Sequence, residues 1–340
     1  MNIYFREGYG RLYEDVEGGV CESFVYRGDQ GCVHHMFIKR EIPDSGGYCD
    51  LITPYGYGGP IITGPDGETG KGAGALTESG RSRLVSEFKE AFSRYCLENR
   101  VVSEFIRFDP VTQNALDFKD MYSPEYNRHT LGTDLTKDDP VASEFTKNCR
   151  KKIRKAERGG ITSEIVMGPS DLGSFKAIYY DTMDRDKAAG YYYFKDSYFE
   201  NLRALLGEDL LLITAYCEDR PVAAGIYFID RENSVLHVHL SGTLKEYLYL
   251  SPAYVLRHQL VLWGKEQGFR LVHHGGGASS SPDDSLYQFK KQFAGDCLLD
   301  FYIGRKIWDP EMYEELCRKR GVPEGTQFFP AYRAADSGRA

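Results

Sequence analysis

The apolar and polar positions between residues 235 and 274 predict a strand, a helix and a second strand. The first strand, at 235–241, places His237 and His239, two residues apart, on one face. The helix is predicted to begin at Ser251-Pro252, with the serine as N-cap, and to end at Gly268. Its apolar stripe consists of Leu256, Leu260, Leu262 and Trp263. Because a strand, a crossover helix and a strand of this length form a parallel pair, the carboxyl ends of both strands meet at one edge of the sheet.

That edge is the predicted site, because ligands of such sheets bind outside the carboxyl ends of the strands. After the glycine run, a helix is predicted that opens into FKKQF and carries Phe289 and Lys290. Backbone N–H groups near Leu240–Gly242 and in the glycine run are candidates to bind an oxyanion, and Lys290 is the candidate cation beside it. On spacing alone, Lys290 also fits an exposed lysine of an amphipathic helix. The candidate residues at the strand ends are Ser241, Gly275, Gly276 and Gly277.

The rest of the chain contains two sets of strands and helices, and its 340 residues favour two domains. The fold class is α/β (α+β), with a first domain at 1–140 and a second at 161–330 that contains the site. A loose tail is expected at 331–340. Residues 64–76 contain GETGKG but lack both the phosphate-loop spacing and a preceding apolar strand, so they are predicted to be a surface linker.

Composition narrows the classes of function. The net charge of −8 argues against a protein that binds nucleic acid or a membrane over its whole surface. No secretory leader and no apolar run of ~18 residues is present, which predicts no transmembrane segment. Eight scattered cysteines without a C-x-x-C pair indicate reduced thiols, and we expect a cytoplasmic protein. The surplus of tyrosine, 25 residues, suits a cleft for a polar ligand and equally suits packing between domains.

A basic segment at 141–160 is predicted to be one helix that bridges the two domains. Its apolar face would contain Phe145 and Ile153. The basic face fits either a solvated surface or a site for phosphate groups, such as those of tRNA. The candidate phosphate-binding residues are Arg150, Lys151, Arg154 and Lys155.

The motifs of the C-terminal half resemble those of the FemABX family. The matching segments are HLSGT at 239–243, HGGG at 274–277 and LYQFKKQF at 286–293, with an R-x-x-I-R-K-A-E-R helix at 150–158. This family builds the peptide cross-bridges of peptidoglycan. The resemblance implies two tandem GNAT-like domains with mixed central sheets flanked by helices, a core shared with BioF2-like acyltransferases. It also implies an aminoacyltransferase that uses aminoacyl-tRNA as the donor, a peptidoglycan precursor as the acceptor and no permanently bound cofactor.

The resemblance also implies roles for individual residues. The functional lysine of the family matches Lys290, with Phe289 beside it. An arginine followed by tyrosines, which grips the sugar-nucleotide end of the precursor, matches Arg185 with one of Tyr191, Tyr192 and Tyr193. Extra residues in this stretch leave open which tyrosine makes the contact.

Two other functions remain open on the sequence. The first is a GNAT-type N-acyltransferase that moves an acyl group from acyl-CoA or an acyl carrier protein to a small amine. The glycine-rich turn that exposes backbone N–H groups to a CoA pyrophosphate is absent before Ser251, where the chain reads KEYLYL. This departure weakens CoA as the donor and favours aminoacyl-tRNA or another thioester or ester donor. The second is a non-catalytic protein that binds a sugar nucleotide.

The histidines of the two strands fit either metal ligands or a proton acceptor. His237 and His239 with a histidine of the next strand have the spacing of zinc ligands, but no acidic or thiol ligand is placed beside them. We therefore predict no metal. A role as proton acceptor is the better hypothesis for His239, or for His274 on the second strand.

Overall fold

The computed structural model describes residues 1–64, 76–281 and 283–334. The strands are β1 (Val20–Gly28), β2 (Gly31–Glu41), β3 (Cys49–Ile52), β4 (Ile61–Thr63), β5 (Val101–Arg107), β6 (Glu125–Asp134), β7 (Ile161–Met167), β8 (Leu210–Cys217), β9 (Arg220–Asp230), β10 (Val235–Thr243), β11 (Leu271–Gly275) and β12 (Leu298–Ile307). The α-helices are α1 (Glu7–Leu12), α2 (Glu14–Glu17), α3 (Glu78–Glu98), α4 (Asn114–Asp117), α5 (Lys119–Tyr122), α6 (Pro140–Glu144), α7 (Lys147–Arg158), α8 (Gly173–Asp186), α9 (Asp196–Leu206), α10 (Pro252–Glu266), α11 (Ser285–Lys291) and α12 (Pro310–Lys319). Short 3₁₀ helices lie at Ile3–Phe5, Gly190–Tyr192, Gly207–Asp209, Lys245–Leu250 and Ala331–Arg333.

The chain divides into two compact units, and their boundaries differ from the predicted domains. The first unit contains residues 1–127 and the C-terminal residues from 300 onward, and the second contains residues 128–299. The C-terminal segment belongs to the first unit because β12 pairs antiparallel with β5 there. The predicted linker at 64–76 falls almost entirely on residues outside the described ranges.

The first unit has a sheet with the strand order β1-β2-β3-β5-β12, and β4 also pairs with β2. β3 and β5 are parallel, and the other pairs are antiparallel. Helix α3 packs against this sheet through Leu84, Phe88 and Phe92, which are fully buried. The apolar side chains of α3 recur every three to four residues. They lie on the buried face, and the opposite face is polar, as in an amphipathic helix.

The second unit has a sheet with the strand order β6-β11-β10-β9-β8-β7. β10 and β11 are parallel, which confirms the predicted β-α-β unit, and the other pairs are antiparallel. Helix α10 covers one face, where Tyr227 and Leu236 belong to its core cluster. Helix α8 covers the other face, because Ile178 lies against Gly242 of β10. β10 is therefore buried on both faces.

Several local predictions need correction. The basic bridging helix at 141–160 is two helices within the second unit, α6 and α7. The chain leaves the helical conformation at Phe145, and Thr146 caps α7 by accepting a hydrogen bond from the Cys149 N–H at 3.1 Å. The predicted N-cap Ser251 has a φ of 58° and its side chain makes no capping bond.

The predicted loose tail also needs correction, as far as it is described. Tyr332 is fully buried in the first unit, where its hydroxyl lies 2.8 Å from the Ser103 Oγ. Residues 335–340 lie outside the described ranges. In α10, Leu262 of the predicted apolar stripe is 45% exposed, so the stripe is narrower than expected.

Replacing Gly242 by alanine is expected to lower the free energy of unfolding by about 2 kcal/mol, because overpacking displaces neighbouring backbone. A Cβ at this position would lie 2.7 Å from the Ile178 carbonyl oxygen and 2.9 Å from the Thr182 Oγ1. Urea denaturation measures the change. Gly173→Ala is the control, because the atoms nearest to its Cβ belong to the Asp171 side chain and lie 3.3 Å or more away. Equal stability of both variants and the wild type would contradict close packing of α8 on β10.

Candidate active site

Helix α11 positions Lys290. The helix begins at Ser285 because the Asp284 carboxylate accepts a hydrogen bond from the Tyr287 N–H at 2.8 Å. Near the end of the helix, the Lys290 Nζ donates to the carbonyl oxygen of Gly276 at 2.7 Å. The helix therefore returns the lysine to the glycine run that follows β11, as the sequence predicted for this edge of the sheet.

The surroundings of Lys290 lower the pKa of its ammonium group. Burial of the ammonium group lowers the pKa of Lys290 to about 7, and the positive charges of Arg257 and Arg128 act in the same direction. Asp284 acts in the opposite direction and is weaker than burial and Arg257. Part of the Lys290 side chain remains accessible to solvent. A lysine with a pKa near 7 is present in both protonation states at neutral pH, which is a property of reactive lysines.

Two carbonyl groups of the glycine run accept hydrogen bonds from neighbouring cations. Gly275 has a φ of 73°, which a residue with a side chain adopts only with strain. The Gly276 carbonyl accepts from Lys290, and the Gly277 carbonyl accepts from the Arg128 Nη1 at 2.9 Å. A Cβ on Gly277 would lie 2.6 Å from the Asp284 Oδ1. The run thus fixes Lys290 through the Gly276 carbonyl and Arg128 through the Gly277 carbonyl, and the predicted oxyanion role of its N–H groups stays a prediction.

Phe289 packs into an aromatic group beneath Lys290. Its ring centroid lies 5.3 Å from that of Tyr254 and 5.2 Å from that of Phe293. Phe293 is fully buried and Tyr254 nearly so. The predicted Phe289 therefore supports α11 through packing, and it stands next to Lys290 without a polar group of its own.

His274 is also on this face, and its orientation is fixed by a threonine. The Thr133 hydroxyl donates to the Phe293 carbonyl at 2.6 Å and lies 2.8 Å from the His274 Nε2. Because that hydroxyl hydrogen is used, Nε2 is the protonated nitrogen, and Nδ1 has a lone pair with no hydrogen-bond partner. Burial, with the charges of Arg257 and Lys290, keeps the pKa of His274 well below its ordinary value, so the ring is neutral.

Arg257 was not predicted from the sequence. It projects from α10 and is 3% exposed. Its Nη2 lies 3.5 Å from the Ser241 Oγ, and its guanidinium carbon lies 5.6 Å from the ring centroid of Tyr227. The sequence could have shown that Arg257 is buried, because it lies three residues from both Tyr254 and Leu260 on the buried stripe of α10. A cation on such a stripe is rare in the absence of a partner or a function.

His239 lies on the opposite face of the sheet. It stacks on Phe228 with centroids 4.3 Å apart, and its Nε2 is 2.7 Å from the Tyr198 hydroxyl. Phe228 and Tyr227 are consecutive on β9 and so face opposite sides. Burial lowers the pKa of His239 to about 3. The structure therefore does not bring His239 together with Lys290, and His274 is the histidine on the side of Lys290.

Arg185 and the predicted tyrosines form a separate group at the end of α8. The Arg185 Nη1 donates to the Thr243 carbonyl at 2.7 Å, and its Nε donates to Asp186 at 2.9 Å. Tyr193 donates to Asp184 at 2.9 Å and is partly exposed, and the rings of Tyr191 and Tyr192 contact each other edge to face. Arg185 thus holds the end of β10, and the substrate-binding role of these four residues stays a prediction.

The basic residues of α7 divide into two groups. Arg150 donates to the carbonyl groups of Val141, Ala142 and Phe145, so its charge ties α6 to α7. Lys151, Arg154 and Lys155 are exposed. Lys152 donates to the Tyr254 hydroxyl at 2.7 Å, and Gln292 donates to the same oxygen at 2.9 Å. Tyr254 therefore connects the basic helix to the helix that carries Lys290.

Comparisons with known proteins agree with this arrangement. The family model of the acetyltransferase (GNAT) domain matches residues 143–291, which include both Arg257 and Lys290. The chain is 27% identical over 177 residues to a UDP-N-acetylmuramoylpentapeptide-lysine N(6)-alanyltransferase of Weissella viridescens. Its fold matches a crystal structure of FemX with a TM-score of 0.65 at 14% identity, over 91% of this chain and 92% of that chain. These comparisons make the chain similar to proteins of the FemABX family over its second half.

The predicted fold class is confirmed, and the comparisons support the predicted resemblance to the FemABX family. A further fold match is the structure of L-PGS from Bacillus licheniformis, with a TM-score of 0.54 at 14% identity over 87% of this chain and 91% of that chain. The alignment with the alanyltransferase covers 51% of this chain and 51% of the relative, so the chain spans about half the length of the curated relative it matches.

The described part of the chain contains no cluster of candidate metal ligands. Within residues 1–64, 76–281 and 283–334, no group of three or more His, Cys, Asp or Glu side chains is placed to hold a metal ion. The histidines of the two parallel strands contact each other instead, since the Nδ1 atoms of His237 and His273 are 3.3 Å apart. None of the helices in those ranges combines the length and the apolar character that a bilayer crossing requires.

Proposed function

We propose that this protein is a FemABX-like N-acyltransferase that moves an aminoacyl group from aminoacyl-tRNA to an amine of a peptidoglycan precursor. The observation that carries the proposal is the position of Lys290, a lysine with a pKa of about 7 that is fixed against the glycine run at the carboxyl end of β11. The alanyltransferase relative, which acts on a muramoylpentapeptide lysine, supports the acceptor class. We further propose a cytoplasmic site of action.

The proposed reaction needs a neutral amine, an ester carbonyl held near it and a stabilised tetrahedral oxyanion. The amine nitrogen attacks the carbonyl carbon, and the carbonyl oxygen gains a negative charge. The ester C–O bond then breaks, the amide remains, and the leaving 3′ or 2′ oxygen of the tRNA takes up the proton lost by the amine. Lys290, in its protonated form, stabilises the oxyanion. The Nδ1 lone pair of His274 accepts a hydrogen bond from the attacking amine and orients it.

The exposed basic face of α7 is the proposed surface for the tRNA acceptor end. Lys151, Arg154 and Lys155 carry three positive charges on consecutive turns, and phosphate contacts of this kind dominate affinity for nucleic acid. The bond from Lys152 to Tyr254 connects this helix to the Phe289 and Lys290 segment. A donor bound along α7 would therefore have its acyl end directed towards Lys290.

A ligand panel tests the proposed donor and acceptor. We expect UDP-MurNAc-pentapeptide and charged tRNA each to raise the melting temperature, and the two together to give an aminoacylated precursor detected by mass spectrometry. CoA is the third ligand, because the match to an acetyltransferase domain favours an acyl-CoA donor as the alternative. Stabilisation by CoA alone would contradict the tRNA donor. Stabilisation by the nucleotide with no product from either donor would indicate the non-catalytic binding protein.

Charge reversal on α7 tests the tRNA surface. We expect Lys151→Glu/Lys155→Glu to raise the KM for aminoacyl-tRNA about tenfold and to flatten its salt dependence, because each lost phosphate contact removes close to one counterion from the salt slope. Initial rates at several salt concentrations measure both effects. Lys89→Glu/Arg94→Glu, on the exposed side of α3, is the matched control. An equal rise in both double variants would contradict a specific role of α7.

A further inference from the structure

Arg257 is a buried cation without a counter-ion. The residue is 3% exposed, and neither its Nε nor its Nη1 has a hydrogen-bond partner. Its Nη2 has a long contact of 3.5 Å to the Ser241 Oγ, and the Tyr227 phenol is a further polar neighbour of the guanidinium. Within the described ranges, no carboxylate forms an ion pair with it. An unpaired charge in a protein interior is strongly unfavourable, because it loses its hydration without compensation. A feature with this cost is retained when a ligand supplies the missing charge.

The neighbours of Arg257 are hydrogen-bond donors. The Tyr227 hydroxyl is fully buried, and the Arg257 guanidinium is its polar neighbour, although the two groups do not meet in good hydrogen-bond geometry. It lies over Gly225, where a Cβ would overlap the phenol oxygen, so only glycine leaves room for the ring in this position. Gly225 is paired with Ser241 across β9 and β10. The guanidinium, the phenol hydroxyl and the serine hydroxyl thus converge at the end of β10, on the face of the sheet that α10 covers.

We propose that Arg257, Tyr227 and Ser241 form a buried subsite that binds one oxyanion of a substrate in its ground state. Guanidinium and hydroxyl donors suit the oxygen atoms of a carboxylate or a phosphate group. The positive charge is present before any reaction begins, so the subsite favours a substrate that already carries a negative charge. The existence of the subsite is independent of the transfer reaction. The assignment of its oxyanion to the donor or to the acceptor rests on the proposed function.

The charge of Arg257 affects the protonation of Lys290, so an anion bound in the subsite would also affect Lys290. Arg257 is the largest charged contributor that lowers the pKa of Lys290, after burial itself. An anion bound to Arg257 would cancel part of that influence and favour the protonated form of Lys290. Occupation of the subsite would therefore prepare Lys290 to stabilise an oxyanion. Arg257 and Lys290 would act in sequence, the first in binding and the second in the reaction.

The first experiment measures anion binding by the free protein. We expect phosphate or acetate, at constant ionic strength set with chloride, to raise the melting temperature of the wild type by about 2 °C or more. Arg257→Met should melt at a higher temperature than the wild type without added anion, since an apolar side chain of similar volume replaces an unpaired charge. It should show no anion response. Arg203→Met, on the exposed side of α9, is the matched control and should respond as the wild type does.

Three results would overturn the subsite. They are no anion response in the wild type, the same response in Arg257→Met, and an Arg257→Met protein that melts below the wild type because the guanidinium has a packing role. These measurements involve no substrate. A result that contradicts the subsite therefore does not contradict the proposed transferase activity. A preference for phosphate over acetate would assign the subsite to a phosphate oxygen, and the reverse preference to a carboxylate.

The second experiment identifies the substrate. We expect Arg257→Met to raise the KM of one substrate at least tenfold, and by a larger factor than it lowers kcat. A raised KM for aminoacyl-tRNA assigns the oxyanion to the donor, and a raised KM for the muropeptide assigns it to the acceptor. A loss confined to kcat would contradict ground-state binding. Arg257→Lys, which keeps the charge, should recover part of the lost affinity.

Discussion

Replacing Lys290 by methionine is expected to lower kcat/KM for aminoacyl transfer at least 100-fold. A single donor to a developing oxyanion in a water-poor site is worth about two to three powers of ten in rate. Methionine keeps the length of the side chain and its packing in α11, so the fold is retained. The assay follows transfer of a labelled aminoacyl group to UDP-MurNAc-pentapeptide. Lys291→Met, the adjacent exposed lysine, is the control and should retain activity.

The pH profile separates an electrostatic role of Lys290 from a structural one. With a pKa of about 7, Lys290 loses its proton above neutrality, so the wild-type rate should fall as the pH rises from 7 to 9. Lys290→Arg carries a charge over this whole range and should lack that fall. A wild-type rate that rises through the same interval would instead make the neutral amine the active form. Unchanged activity in Lys290→Met would remove the residue from the reaction.

The same lysine is expected to make stability depend on pH. The pKa of Lys290 is about 7 in the folded chain and has its ordinary value of 10.5 in the unfolded chain. Between these values the unfolded chain binds the extra proton, so the stability of the wild type rises with pH across the window. Below pH 7 both states are protonated, and the folded state bears the full cost of a buried ammonium group.

Lys290→Met should therefore be more stable than the wild type at pH 6 by about 2 kcal/mol. One unit of pKa corresponds to about 1.4 kcal/mol, and the partial solvent access of Lys290 reduces the full value. The advantage should shrink steadily above pH 7 and vanish near pH 10.5. Urea denaturation of both proteins at five pH values measures the difference, with Lys291→Met as the flat control. A difference that grows with pH would contradict burial as the cause of the lowered pKa.

The local pattern of the sequence was sufficient to predict the strands and the helix that carry Lys290. The apolar run of β10, the amphipathic α10 and the glycines after β11 each have a local cause, and the parallel pairing follows from the length of the crossover. The position of α11 also depends on nearby residues, because the helix begins at the cap Asp284, only six residues before Lys290.

The features that the sequence did not reveal depend on distant contacts. β10 is covered on both faces, so alternation along the strand does not tell which helix His239 meets. The unpaired state of Arg257 depends on Tyr227 and Ser241, which precede it by 30 and 16 residues along the chain. The domain boundaries depend on pairing between β5 and β12, which are separated by the entire second unit.

The chain order of the two units has a consequence for synthesis on the ribosome. Residues 128–299 form an insertion between the two parts of the first unit. All strands that pair within the inserted unit are synthesised before β12. The first unit, although it contains the amino terminus, cannot complete its sheet until β12 emerges and pairs with β5. The strands of the inserted unit are therefore available to fold before the sheet of the first unit can be completed.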